Sequence, residues 1–300
     1  MANTRRLLLV DASTFMYRAC HVHRGLSSAS GEFTGGVFGF LGQVCTAILK
    51  TGATELLVVL DSPPYRKEAD MQSVFKGDRK ASSDPDLQEK VATTKKQVKQ
   101  LLAKTGIPHF ALAGAEADDV IGHICKTCPD VDCVIASGDS DMYQLLSENV
   151  SMHKGGKHPV FYTHKDFTQE FGVLPKHWVN IISAAGSHNN VPGVRKGVAI
   201  KTALKFLGPN ANAVQWMTED EYEVYRRNVK LNRLPYKKIR PELADASITT
   251  MWTLYPAELY RAAGLWDIRI TQAMQEALEQ VSSAPKRKSL SIDGGAGRQV

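Results

Sequence analysis

Seven acidic residues carry most of the chemistry this sequence offers. Glu116, Asp118 and Asp119 fall within four positions of GAEADDVI (114–121). Asp139 and Asp141 fall in SGDSDM, directly after the apolar run CVIA at 133–136. Asp11 follows RRLLLV and Asp61 follows LLVVL. One or two carboxylates at a helix start need only the macrodipole to explain them, and an Asp-x-Asp in a loop is commonly an ordinary turn. Seven converging on one edge repel one another unless a cation lies between them. A cluster of oxygen donors alone suits Mg²⁺ or Mn²⁺, hard ions that keep part of their water shell. Its natural task is phosphoryl chemistry. One ion lowers the pKa of a bound water and a second stabilises the leaving oxygen, the two roughly 3.5–4 Å apart.

Such acids have to be delivered to one place. The three apolar runs are short, bounded by turn residues, and read as buried parallel strands. Helical patterns at 37–50 and 87–104 lie between them, so the fold class is α/β with crossover connections. Ligands of open α/β sheets bind beyond the carboxyl ends of the strands, and Asp11, Asp61 and the SGDSDM acids all fall there. GAEADDVI opens a further helix, expected to place Glu116 and Asp119 one turn apart on one face. From about Pro175 the pattern changes to helices and loops. Residues 176–185 and 199–207 read as short helices joined by NNVPGVRKG, with further helical candidates at 219–231 and 256–281.

Composition narrows the classes. Of 300 residues, 43% are hydrophobic and 23% charged, which fits a globular chain with a core and excludes collagen-like, coiled-coil or mostly disordered proteins. The formal net charge of +6 is compatible with a nucleic-acid partner without requiring one. No run of about 18 apolar residues exists to span a membrane, and the N-terminal apolar run is too short for a secretory signal. Five cysteines, an odd number, suit reduced thiols in the cytoplasm. His123, Cys125 and Cys128 do not converge as a tetrahedral set on a helix, so they read as packed side chains rather than a zinc site.

The motifs LLLVDASTFMYRACH (7–21), VLDSPPYRKE (59–68), FKGDRK (75–80), GAEADDVIG (114–122), SGDSDMYQLL (137–146) and VPGVRKGVAIKTALKFLG (191–208) run in one order along the chain. In that order they resemble the 5′-nuclease (flap endonuclease) superfamily, especially the phage flap endonucleases and the 5′-nuclease domain of bacterial family A DNA polymerases. A weaker echo, RRNVKLNRLP (226–235), extends the resemblance. It implies a PIN-like nuclease core over 1–175 with a central, mostly parallel sheet and a helical arch at about 62–104. It implies a helix-three-turn-helix DNA-binding domain over 176–281, followed by a flexible basic tail at 282–300. It implies metal ligation by Asp11, Asp61, Glu116, Asp118, Asp139 and Asp141, and matches Asp119 to the third acid of the EADD box. Lys76 and Arg79 match arch-base residues that contact the scissile phosphate, where their charge neutralises a pentavalent phosphate. Phe75 matches an aromatic that stacks on the terminal base, with a core anchor as its bland reading. Arg18 matches a basic residue beside the first acid. Residues 62–104 carry ten basic against six acidic side chains, a bias that suits single-stranded DNA.

In the turn 191–203, Gly193 and Gly197 let backbone amides approach phosphates, and Arg195, Lys196 and Lys201 add charge. Binding of this kind reads no bases, so it is structure-specific and salt-sensitive. The family holds a K⁺ in this turn, which here is one residue longer than the usual GVxGIGxKTA. The expected activity is Mg²⁺-dependent hydrolysis of DNA with 5′ ends, flaps or nicks, as exonuclease or flap endonuclease, in replication or repair. The expected state is a monomer without membrane attachment. The chain ends without a polymerase segment, so a separate polymerase is its expected partner, in a bacterial or phage-infected cytoplasm. One departure stands out. Where the family has G-D-x-x-D-N-I-P-G-V, whose aspartates complete a second metal site, this chain has GSHNNVPGV (186–194). The two aspartates become Gly186 and Asn189, or Ser187 and Asn190, depending on the alignment, so Asn189 is at most a weak neutral substitute. That departure motivates one alternative, a structure-specific DNA-binding protein with impaired catalysis. A PIN-type ribonuclease is the other.

Overall fold

The computed structural model describes residues 5–65, 84–156, 158, 160–187, 191–208, 216–246, 248–250 and 256–282. Its centre is a five-stranded, all-parallel sheet in the order β3-β2-β1-β4-β5. The strands are β1 (Arg6–Asp11), β2 (Glu55–Val59), β3 (His109–Phe110), β4 (Asp132–Ala136) and β5 (Val150–His153). β1 lies in the middle, with Asp11 opposite Val59 of β2 and Val10 opposite Ala136 of β4. Strands buried on both faces have no polar side to show, which is why RLLLVD and LLVV read as unbroken apolar runs.

Alternate residues of each strand feed separate cores. Leu8, Val10, Val58 and Val134 point into one, together with α1 (Ala12–Val22), α2 (Gly35–Thr51) and α3 (Pro85–Thr105). Leu7, Leu9, Val59 and Ile135 point into the other, against α4 (Ala117–Thr127), a 3₁₀ helix (Ser140–Leu145) and α5 (His164–Phe171). Close packing on the first face uses glycine. A Cβ on Gly36 of α2 would sit 1.8 Å from Thr94 Oγ1 of α3, so only hydrogen fits there. α3 begins at an Asp84 cap that accepts the Leu87 amide (3.1 Å) and ends at Gly106, whose φ of +67° closes the helix.

The later elements are α6 (Trp178–Ala185), the hairpin β6 (Gly186–Ser187) and β7 (Val191–Pro192), α7 (Ile200–Leu207), α8 (Glu219–Asn232) and α9 (Arg240–Ala244). Their apolar residues, from Trp178 to Leu243, share one continuous core with the second face of the sheet. The sequence reading runs this helical unit to residue 281, and the structure differs there. The last two helices, α10 (Pro256–Gly264) and α11 (Gln272–Ser282), return to the first face, where Leu259, Trp266, Met274 and Leu278 join the core of α2 and α3. The single helical stretch expected at 256–281 is broken at Asp267, whose φ is +54° and whose Oδ2 accepts the Ala29 amide (2.8 Å). Trp266, between the two helices, packs into the same core.

Candidate metal centre

Five of the seven acids line a single cleft of about 950 Å³ beyond the carboxyl ends of the strands. It opens beside β1 and β4, where successive connections leave in opposite directions and a crevice forms. Asp11 ends β1, Asp61 follows β2, Asp139 follows β4, and Glu116 and Asp118 open α4.

Each acid is held by a short local device. Asp11 caps α1, its Oδ1 accepting the Thr14 amide (3.2 Å). Its Oδ2 accepts the Thr14 and Ser137 hydroxyls, the latter at 2.8 Å. Ser137 Oγ also accepts the Asp139 amide (3.1 Å), so one serine ties the β1 acid to the β4 loop. Asp139 Oδ1 accepts the Asp141 amide (2.8 Å) and thereby starts the 3₁₀ helix. Asp61 accepts the Ala117 amide (2.8 Å) and the Ser13 hydroxyl, linking the β2 loop to the starts of α4 and α1.

The site is electrostatically strained as it stands. Asp11 is 4% exposed, and burial pushes its carboxyl up to about 6, with the Thr14 hydroxyl pulling the other way and the Asp61 charge adding to the rise. Asp118 is half-buried at the surface of the cleft. Desolvation, then the charges of Asp139, Asp11, Glu116 and Asp61, hold it well above the usual carboxylate range. Among the described residues no three acids meet as a closed ligand set. Mutual repulsion in an oxygen-lined cleft fits a hard cation that keeps several waters between itself and the protein.

Two acids are placed elsewhere. Asp119 is 0% exposed and does not line the cleft; its Oδ1 accepts the Tyr236 amide (2.7 Å). The expectation that Glu116 and Asp119 share a helical face fails because Glu116 is the cap, with an extended backbone (φ −82°, ψ 154°). Asp141 lies one step into the 3₁₀ helix, beside the cleft rather than in its lining. Lys76, Arg79, Phe75 and Asn189 lie outside the described residues.

Among the DNA-contact candidates, Arg18 lines the cleft, with Nη1 donating to the Lys154 carbonyl (3.3 Å). Gly138 gives it room, since a Cβ there would stand 3.2 Å from Arg18 Nη2. Lys196, Gly197 and Lys201 are exposed around the start of α7, and Gly197 has a φ of +87°. Arg195 is already engaged, paired with Glu221 (2.6 Å) and 4.8 Å over the Trp216 ring. Sequence reasoning missed the cleft residues Tyr17, His21 and Tyr65, and counted Lys95 only in the basic bias of 62–104. Lys95 was within reach of it, because Val91 and Lys95 are four apart on α3 and share a face. The hairpin supplies no carboxylate from its described residues. Gly186 has a φ of +92° with Gly193 N 2.8 Å from where a Cβ would be, and the Ser187 hydroxyl donates to Asn232 Oδ1 (3.3 Å).

Residues 6–172 match the family model for the 5′-3′ exonuclease N-terminal resolvase-like domain. The chain is 30% identical over 292 residues to a 5′-3′ exonuclease of Bacillus subtilis, covering 93% of each. It is 31% identical over 242 residues to a 5′-3′ exonuclease of Aquifex aeolicus, covering 79% of this chain and 81% of that one. In fold it is similar to the bacteriophage T5 flap endonuclease solved with DNA and metal ions. The TM-score is 0.61 at 19% identity, over 92% of this chain and 99% of the other.

Proposed function

The chain belongs to the 5′-3′ exonuclease family, and on that premise we propose that it is a structure-specific 5′-nuclease hydrolysing phosphodiester bonds in DNA. The observation that carries this reading is the single cleft that Asp11, Asp61, Glu116, Asp118 and Asp139 line at the carboxyl edge of the sheet. Those five, with Asp141 beside them, would hold Mg²⁺ or Mn²⁺, which supplies an activated water at neutral pH and charge for the leaving oxygen. The residues around them do the rest. Ser13, Thr14 and Ser137 orient the carboxylates by donating hydroxyl hydrogens to them. Arg18 and Lys95 line the same cleft and place positive charge where a phosphate would lie against the acids. Lys76 and Arg79, by resemblance, add charge from the arch as it builds in the transition state.

The exposed turn before α7 grips the backbone away from the scissile bond, through Lys196, Lys201 and the amides around Gly197. This reading includes a K⁺ in the turn 191–203, a monomer acting in the cytoplasm, and a separate polymerase to fill the gap left by excision. Among the described residues no helix is long and apolar enough to cross a membrane. A second reading, a DNA-binding protein with impaired catalysis, is favoured by the hairpin, where the described positions Gly186 and Ser187 carry no carboxylate. Labelled flap, nicked and blunt duplexes incubated with Mg²⁺ or EDTA separate the two. Short 5′ products from flap or nick in Mg²⁺ alone support the nuclease. Tight binding with every substrate left uncut supports the binding protein.

A further inference from the structure

Residues 232–236, at the end of α8, touch both the helix that brings Glu116 and Asp118 to the cleft and the 3₁₀ helix that Asp139 caps. On one side is the 3₁₀ helix that starts within SGDSD. Its Gln144 donates Nε2 to the Asn232 carbonyl (2.9 Å) and accepts the Leu234 amide through Oε1 (3.0 Å). The same Nε2 donates to the Asp141 carbonyl (2.9 Å), so one amide group joins the acid turn to the segment. On the other side is α4. Asp119 Oδ1 accepts the Tyr236 amide (2.7 Å), and Lys126 Nζ donates to the Leu234 carbonyl (2.5 Å). Gly122 lets the two backbones close, since a Cβ there would stand 3.1 Å from Leu234 Cβ and 3.2 Å from Pro235 N.

α4 and the 3₁₀ helix also meet through apolar residues, including Val120, Ile121, Met142 and Leu145. Apolar contact is non-directional and allows one element to slide on another. Hydrogen bonds to a shared third segment fix both distance and angle. Metal ligands need placement within about 0.5 Å to act together, and only the directional ties supply that. Asp119 keeps its carboxylate turned to this segment, not to the cleft.

We propose that residues 232–236 are a strap that sets the spacing between the acids of α4 and those of the SGDSD turn. In it, Asp119 and Gln144 are positioning residues, not ligands. This rests on the metal-dependent reading above. It extends it by giving the last acid of the EADD box a different task from the first two.

The test is calorimetric titration of Mn²⁺ into the full chain, with DNA affinity in EDTA and a thermal melt for each variant. Asp119→Asn keeps an oxygen that accepts the Tyr236 amide and should bind Mn²⁺ within about threefold of the parent. Asp119→Ala removes the acceptor and should weaken Mn²⁺ by about 10-fold or more, the size expected for a residue that orients a ligand. Gln144→Ala, a milder change at a half-buried position, should weaken Mn²⁺ in the same direction with DNA affinity in EDTA unchanged. It keeps the test decisive if Asp119→Ala does not fold. Equal losses in Asp119→Asn and Asp119→Ala would make the charge itself the ligand and overturn the strap. So would an unchanged Mn²⁺ affinity in Gln144→Ala. A parent that binds no Mn²⁺ would overturn the proposed function together with the strap.

Discussion

Asp11 must be charged to hold a cation, yet the fold buries it at the end of β1. Its carboxyl stands at about 6, against 3.8 for an unperturbed one. The folded state therefore binds this proton more tightly than the unfolded state. Its contribution to stability is fully present below 3.8 and is lost as pH rises through about 6. The shift corresponds to about 3 kcal/mol at neutral pH before relaxation. Asp11→Asn keeps an acceptor for the Thr14 amide and removes the charge. In EDTA at pH 7.5 the variant should be more stable than the parent to urea, by up to about 3 kcal/mol, and the gap should close on acidification towards pH 4. Mg²⁺ should stabilise the parent and not the variant. Equal midpoints at pH 7.5 in EDTA would mean that burial does not strain this carboxyl. The acids themselves were legible in the sequence, because each strand-end Asp follows an apolar run. Their roles were less so. Asp118 and Asp119 are adjacent in sequence, and only the extended cap at Glu116 decides which of them faces the cleft.

At the scale of elements, the turn leading into α7 is an exposed basic surface of the helical half. Lys196 and Lys201 extend from it, while Arg195 is held by Glu221 and Trp216. The three are therefore unequal, although sequence treats them alike. Lys196→Ala and Lys201→Ala should each weaken DNA binding uniformly across sequences and lower the salt slope by about 0.9 for each phosphate no longer neutralised. Arg195→Ala should change the slope less, since a phosphate must first displace a carboxylate from its guanidinium. Fluorescence anisotropy at several salt concentrations reads this directly, and an equal or larger change for Arg195→Ala would contradict it. Helices were the most legible elements, because those at 37–50 and 87–104 carry apolar residues at helical spacing and end at the αL glycines Gly52 and Gly106, the second also starting at the Asp84 cap. β3 and β5 were not legible, since HF and VSMH at the sheet edges are too short and mixed to form an apolar run.

The whole molecule is a sheet with a core on each face, and the C-terminal helices close the face opposite the helical half. α10 and α11 contribute no residue to the lining of the acid cleft. With the segment between them, they nevertheless bury Leu259, Ala262, Trp266, Met274 and Leu278 in the core of α2 and α3. Each large apolar side chain covered this way contributes about 1.5–3 kcal/mol. Ending the chain after residue 250 should therefore lower the melting temperature steeply and expose an aggregation-prone apolar face, despite leaving every cleft acid in place. An unchanged melt would show that the two helices are dispensable. This closure could not be read from sequence, because the apolar spacing of 256–281 announces a buried helix without naming the face it covers.

The central claim is that the acids of the cleft act together on a phosphodiester bond, and one comparison tests it most directly. Asp139→Asn keeps an oxygen to cap the 3₁₀ helix and removes one negative charge from the centre of the cluster. Single-turnover cleavage of one 5′-flap substrate in Mg²⁺ would be compared with the parent, alongside binding of the same substrate in EDTA. The expected result is a rate loss of roughly 100-fold or more, equivalent to about 3 kcal/mol of transition-state stabilisation, with binding unchanged or tighter. Cleavage within about tenfold of the parent would contradict the account, because the cleft would then not be where the bond is broken.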